Sequence, residues 1–229
     1  MIEYQADAVI VGGGIAGITA AIELLNAGQK VLLIDRDVEQ ELGGLAKWSF
    51  GGMFFVDSPL QRRAGIKDSV DLALRDWLSV ADFGDNDVLP KKWAEQYVNT
   101  CTDQVYHWLK KEHGTKFFPV VHWVERGLYK TGNSYPRFHM VWGTGKGLTD
   151  NLIKSLKAHS KAATHLQMVY RHKAEEILVE NGVVVGVIGL DEQNSQPFRA
   201  LGENILIATG GLGGNIERVR ETWYQPWGK

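Results

Sequence analysis

Residues 8–11 form an unbroken apolar run that ends in Gly12-Gly13-Gly14, the pattern of a strand covered on both faces in a parallel sheet. Ile15, Ile18, Ile22 and Leu25 then recur at helical spacing, and Gly28 stands where such a helix stops. Val31, Leu32, Leu33 and Ile34 make a second buried strand, followed at once by Asp35. Strand, helix and strand within about 30 residues predict a βαβ unit.

From residue 43 to residue 147 the pattern changes to helices and aromatic-rich loops. Asp68 or Ser69 is placed to cap a helix carrying Leu72, Trp77 and Leu78. A longer helix is expected from Pro90, acceptable in a first turn, to His113, with Gly114 after it. Its apolar face reads Trp93, Tyr97, Cys101, Val105, Trp108 and Leu109. Residues 116–142 carry aromatics and turn signals without a clean period and read as a long loop, a feature that is often functional or lid-like. Residues 143–147 open a further helix with Leu148, Leu152, Ile153 and Leu156 on one face. Strands are then expected at 166–170, 176–179 and 183–188 as a three-stranded antiparallel segment, with Asn181-Gly182 as a two-residue hairpin turn. After a polar turn through Pro197, residues 205–208 read as another buried strand, ending in Thr209-Gly210-Gly211.

Composition narrows what this architecture can do. At ~150 residues per domain, 229 residues give about one and a half domains. The net charge of −2, with no block of like charge, disfavours a nucleic-acid partner, which calls for a basic field. Glycine is abundant (26) while proline is scarce (6), which points to main chain approaching something closely. The single cysteine, Cys101, cannot form an intramolecular disulfide and reads as a small buried residue. With no signal-peptide pattern and no apolar stretch near the ~20 residues of a membrane span, a soluble cytoplasmic protein is expected. The histidines lack paired metal-ligand spacing, so no metal site is expected, and without G-x-S-x-G or a Cys-His arrangement hydrolase readings fall away.

The chemistry sits in the first βαβ unit. Gly12, Gly14 and Gly17 form G-x-G-x-x-G between strand and helix, and Asp35 follows the second strand. Gly12 allows the tight turn, Gly14 lets main chain approach a pyrophosphate, and Gly17 lets helix and strand pack closely. The amides at the helix start face the phosphates with the favourable end of the helix dipole. Asp35 accepts from both hydroxyls of an adenosine ribose and repels a 2′-phosphate, which argues against NADP. The motif alone leaves FAD and NAD both open. FAD is favoured by the pairs Gly43-Gly44 and Gly51-Gly52, which let a loop lie on a flat cofactor, and by the strand ending in Thr209-Gly210-Gly211, which returns the chain to the crevice.

These motifs, with residues 43–53 and the segments Val56-Asp57-Ser58-Pro59, Gln61-Arg62-Arg63 and Asn133 to Gly145, resemble the FAD-binding half of the fumarate reductase and ketosteroid dehydrogenase flavoproteins, notably their bacterial FAD-binding dehydrogenase branch. The resemblance covers essentially the whole chain. It implies an α/β fold: a Rossmann-like FAD-binding domain with a parallel sheet, a three-stranded antiparallel β-meander and a helical aromatic-rich insertion. The expected division is 1–55 and 143–229 for a discontinuous FAD-binding domain and 56–142 for the insertion. The pyrophosphate is implied at Gly14, Ile15, Ala16 and Gly17, and the ribose side at Asp35 and Arg36. The flavin side is implied along Gly43, Gly44, Ala46, Ser49, Phe50, Gly51 and Gly52, the adenine against main chain near Ala174, and close passage of the dinucleotide at Ala208, Thr209 and Gly210. Some relatives bond FAD covalently to a histidine just after the matching glycine pair. None occurs between Asp35 and Gly52, so FAD is expected to be noncovalent.

In such enzymes a substrate hydride passes to flavin N5 while a protein group handles a second proton. Family members take much of that machinery from a capping domain and a final FAD-contacting segment, neither of which is expected within these 229 residues. Tyr129, Tyr135 and His139 lie in the aromatic loop and are read either as groups near the substrate or as loop packing. The aromatic cluster between Trp77 and Trp142 reads likewise as an apolar wall or as ordinary core and covered surface. The expected partners are a small, apolar substrate and a missing C-terminal domain or second chain. The rival reading is a truncated or noncatalytic dinucleotide-binding fragment.

Overall fold

The computed structural model describes the chain apart from residues 120–123, 125, 127–129 and 225–229. In chain order its strands are β1 (Ile2–Val11), β2 (Val31–Ile34), β3 (Gly52–Phe54), β4 (Phe117–Pro119), β5 (Phe138–Val141), β6 (Leu166–Val169), β7 (His172–Glu180), β8 (Val183–Asp191) and β9 (Gln196–Ile207). The helices are α1 (Ile15–Asn26), α2 (Pro59–Arg63), α3 (Val70–Ala81), α4 (Val88–Thr100), α5 (Thr144–Ala158), α6 (Ala162–His165) and α7 (Ile216–Thr222). Two compact units result, Met1–Leu45 with Leu156–Lys229, and Ala46–Ser155.

The first unit is built on a six-stranded sheet of order β6-β2-β1-β9-β8-β7. β6, β2, β1 and β9 run parallel, and β8 and β7 continue the sheet antiparallel. β2 and the last four residues of β1 are buried, as their unbroken apolar pattern requires. β1 starts six residues earlier than that pattern suggests, because its first half alternates and is held by pairing from Ile2 opposite Phe198 onward. Val9, Val11, Leu32, Ile34, Val187, Phe198 and Ala200 form one core layer. α1 buries Gly17, Ile18, Ala21, Ile22 and Leu25 and contacts β1 and β2. At ~1.5–3 kcal/mol per fully buried aliphatic side chain, this is the main stabilisation of the βαβ unit.

Three expectations change here. Residues 166–169 pair parallel with β2 rather than joining the antiparallel segment, so the meander is β7-β8-β9. Pro197 lies inside β9 opposite Leu190, near the strand start where a missing N–H is tolerated. The end of β9, expected to be buried, leaves Leu206 39% and Ile207 49% exposed. The hairpin at Asn181-Gly182 has positive φ at both residues (50° and 79°), as a type I′ turn requires.

The second unit contains a three-stranded antiparallel sheet of order β3-β5-β4. β4 and β5 fall in the stretch read as loop, because strands of three and four residues are too short to show a period. Phe55, Val56, Ala73, Val98, Cys101 and Tyr106 form the core. Ser69, not Asp68, caps α3 by accepting from the Leu72 amide. α4 starts at Val88 and runs on through π-helical turns at Cys101–Tyr106 and Trp108–Glu112. The buried stripe is Ala94, Val98, Cys101, Tyr106 and Leu109: in the regular helix it runs one residue away from the expected Trp93, which is 72% exposed, and the wider turns carry it from Cys101 to Tyr106. Burial pushes the Cys101 thiol up, which makes it a core residue and not a nucleophile. Among the described residues no helix is long and apolar enough to cross a membrane.

Candidate functional site

Register places the ends of β1, β2 and β9 side by side, with Val11 opposite both Ile34 and Ile207. The chain leaves β1 through Gly12, at φ 110°, whose amide donates to the Ile34 carbonyl at 2.8 Å. A Cβ at Gly12 would stand 2.4 Å from the Ala208 carbonyl oxygen, and one at Gly17 1.9 Å from the Gly12 oxygen. Only glycine fits either position. Gly14 differs: it caps α1 in ordinary extended backbone, and a Cβ there would meet nothing within 4 Å. No side chain caps α1, so the amides of its first turn keep the donor capacity and dipole that suit an anion.

Asp35 ties this turn to the end of β2. Its carboxylate accepts from the Gly13 amide at 2.5 Å and from the Asp37 amide at 2.7 Å, one bond to each oxygen. Each oxygen keeps lone-pair capacity for a further donor. The Gly43 amide donates to the Gly13 carbonyl at 2.8 Å, and Gly43 bridges Gly14 in parallel fashion. Gly44, at φ 56°, brings its main chain against Gly14.

A cleft of about 510 Å³ opens at this point. It is lined by Gly12, Gly14, Asp35, Arg36, Gly44, Ala208, Thr209 and Gly210, all singled out in the sequence. Gly13, Asp37, Glu41, Leu45 and Gly211 also line it and were missed, although the doubled glycines at both turns signalled Gly13 and Gly211. Arg36 stands on the rim, bonded through Nε and Nη2 to Glu192. Ile15, Ala16 and Gly17 form the first turn of α1, and Ala174 sits on β7, opposite Gly189 and beside a bulge. An open glycine wall, uncapped helix amides and a carboxylate with spare lone pairs form a donor and acceptor set that fits a dinucleotide.

Ala46, Ser49, Phe50, Gly51 and Gly52 belong to the second unit. Ser49 Oγ donates to the Ala46 carbonyl at 2.8 Å, and the Gly145 amide donates to the Ser49 carbonyl at 2.9 Å. Gly51, at φ 71°, passes so close to Thr144 that a Cβ would lie 2.6 Å from its carbonyl carbon. Phe50 and Trp142 project largely exposed from this junction.

The segment from Asn133 to His139 is pinned by a buried ion cluster. Arg137, fully buried, donates through Nε and Nη2 to Asp68 at 2.8 and 2.7 Å. Its Nη1 donates to Asp76 at 2.7 Å and to Asn133 at 2.8 Å. Asp76 also accepts from the Ser134 amide and hydroxyl. Burial alone would raise the Asp76 carboxyl, but the bonds from Ser134 and Arg137 outweigh it and hold it below the usual carboxylate range.

His139 is also fully buried. Its Nδ1 lies 2.8 Å from the Arg137 carbonyl and can only donate there, so Nε2 accepts from Ser58 Oγ at 2.7 Å. Burial lowers its pKa further, fixing the neutral ring. With both nitrogens hydrogen-bonded inside the protein and no exposed face, His139 packs the loop. Tyr135 is half-buried, and Tyr129 lies outside the described residues.

Residues 7–227 match the family model described as FAD binding domain. A KsdD-like steroid dehydrogenase of Mycobacterium tuberculosis is 41% identical over 98% of this chain, which spans 42% of that relative's length. The solved 3-ketosteroid-Δ4-(5α)-dehydrogenase of Rhodococcus jostii RHA1 superposes with a TM-score of 0.77 at 20% identity, covering 96% of this chain and 49% of its own. The open form of a flavocytochrome c3 fumarate reductase gives 0.71 at 22% identity, covering 98% and 36%. At these identities the two structures show the shared fold.

Proposed function

The chain belongs to the FAD binding domain family, and on that footing we propose that it is the FAD-binding part of an oxidoreductase that passes a hydride between a small, apolar carbon substrate and flavin N5. The observation that carries this reading is the cleft at the ends of β1, β2 and β9, with its glycine wall and the Asp35 carboxylate. When bound, FAD supplies the hydride-accepting centre. The chain supplies binding and orientation. First-turn amides from Ile15, Ala16 and Gly17 face the pyrophosphate, Asp35 accepts from the ribose hydroxyls, and Asp37 and Glu41 on the same cleft add to the charge that rejects a 2′-phosphate.

In this reading residues 1–55 and 143–229 act as one discontinuous cofactor domain and 56–142 as its insertion. Gly43, Gly44, Ala46, Ser49, Phe50, Gly51 and Gly52 follow the flavin side, and Ala174 offers main chain to the adenine. The cofactor is held noncovalently, because no histidine occurs between Asp35 and Gly52. The proton-handling group comes from Tyr135, from Tyr129 or from polypeptide beyond the matched length, since His139 is enclosed. A second reading, a noncatalytic fragment that needs a further domain or chain, is favoured by the 42% share of the relative's length.

Titration with FAD and, in parallel, NAD, read by calorimetry, tests the proposal: FAD binds and NAD does not compete. Asp35→Ala weakens FAD by about 10–100-fold, the loss of charge-assisted bonds worth ~1.5–3 kcal/mol. Equal FAD affinity in wild type and Asp35→Ala would remove Asp35 from the ribose site.

A further inference from the structure

We propose that Glu192 is a positioning residue of the cofactor site, holding the Arg36 guanidinium as a fixed plane on which the adenine of FAD stacks. The inference rests on the reading of the cleft at Asp35 as the ribose site. Glu192 belongs to the turn between β8 and β9, 156 residues along the chain from Arg36.

A closed circuit of hydrogen bonds joins the two residues. The Arg171 amide donates to the Asp37 carbonyl at 3.0 Å, and the Glu192 amide donates to the Arg171 carbonyl at 2.8 Å. Arg36 Nε and Nη2 then donate to the two Glu192 carboxylate oxygens at 3.1 and 2.9 Å. Arg36 and Asp37 are chain neighbours, so the ring closes. Both sides of it are braced. The His172 amide donates to the Asp35 carbonyl at 3.0 Å and the Asp35 amide to the Val169 carbonyl at 2.9 Å, which seats the corner between β6 and β7 on the end of β2. Asp191, buried, accepts from the Gln193 and Asn194 amides and from Asn194 Nδ2, which fixes the turn that carries Glu192. A fork of two N–H···O bonds to one carboxylate fixes a guanidinium in orientation as well as in place.

The chemistry of the cleft indicates what that plane receives. Asp35, Arg36, Asp37 and Glu41 line it together. Three carboxylates face one guanidinium there, and Glu192 already offsets its charge, so Arg36 is a poor ligand for a further phosphate. Its flat faces stay out of the fork, and a guanidinium plane stacks on an aromatic base. The base stands one glycosidic bond beyond the ribose, as Arg36 stands one residue beyond Asp35. β8 also pairs its Gly189, three residues before Glu192, with Ala174, the main chain read as the adenine's other neighbour. Without Glu192 the long Arg36 side chain samples many rotamers, and the ligand must order it on arrival. Arg36 and Glu192 are both exposed, and an exposed ion pair adds little to folding stability. An effect on binding is therefore separable from one on the fold.

Calorimetric titration of the 229-residue chain with FAD and with ADP, which keeps the adenosine and lacks the flavin, tests the proposal. Arg36→Ala weakens both ligands roughly tenfold, the size of one base-stacking contact. Arg36→Lys, which keeps the charge but neither the plane nor the fork, weakens them nearly as much. Glu192→Ala weakens both about threefold in the native background and no further in Arg36→Ala, because it acts through Arg36. Tm stays within about two degrees throughout. Full affinity in Arg36→Lys would make the residue a phosphate ligand. Equal losses from Glu192→Ala with and without Arg36 would make Glu192 a scaffold of the turn, and unchanged affinity in Arg36→Ala would leave no stacking contact. Each of these overturns the proposal. A wild type that binds neither FAD nor ADP overturns the cofactor reading and this inference with it, whereas binding of both with indifferent variants overturns the inference alone.

Discussion

Gly17→Ala lowers the stability of the chain by about 3 kcal/mol, a drop in Tm of roughly 6–12 °C for a chain of this size. The direction is opposite to helix propensity, which favours alanine over glycine inside α1 by ~1 kcal/mol. Geometry decides the sign: the added Cβ falls 1.9 Å from the Gly12 carbonyl oxygen, which belongs to a turn fixed by its bond to Ile34. Relief requires α1 to move away from β1, and that motion opens the turn whose amides serve the cleft. Thermal unfolding followed by circular dichroism measures the loss. A stabilised Gly17→Ala variant would mean that helix and strand are not in contact at this point.

The second large effect belongs to Arg137→Met. Removing the guanidinium leaves Asp68 and Asp76 enclosed without their cation, a change that costs ~3–5 kcal/mol when one partner of a buried pair is lost. Arg137→Lys restores little, because an ammonium cannot span the forked contact with both oxygens of Asp68. The pH dependence follows from Asp76. Its folded pKa is depressed, so its contribution to stability is present above the unfolded carboxyl value of ~3.9 and is lost as pH falls through the folded one. Urea unfolding midpoints therefore fall below about pH 4 in the wild type. The acid-side slope becomes shallower in Arg137→Met, where one of the donors holding the carboxylate ionised is gone. An unchanged midpoint at pH 7 would contradict the role given to the cluster.

The first βαβ unit was legible because its signals are local: an unbroken apolar run, three glycines at fixed offsets, an acid after the second strand. Val31–Ile34 and the start of α1 at Ile15 follow directly from them. The second unit hid its logic in long-range pairing. β5 has four residues and takes its partners from 53 and 118, far along the chain, so no window shows it. Arg137, Asp68 and Asp76 are ordinary charged residues in sequence, and only the fold shows them buried together. His139 illustrates the converse: a histidine in an aromatic loop suggested chemistry, yet its commitment to Ser58 and to the Arg137 carbonyl depends on contacts that periodicity cannot report.

Gly14 offers the most direct test of the central claim, because it is the one glycine of the motif whose side-chain direction faces open cleft while its backbone accepts any residue. FAD titration of the wild type and Gly14→Val, read by flavin fluorescence alongside Tm, separates binding from folding. The account predicts that the wild type binds FAD, and that Gly14→Val holds its Tm to within a few degrees, for a stability change of at most ~1 kcal/mol, yet loses about 100-fold or more in FAD affinity as the added methyls occupy the pyrophosphate position. Wild-type affinity in a folded Gly14→Val protein would contradict it.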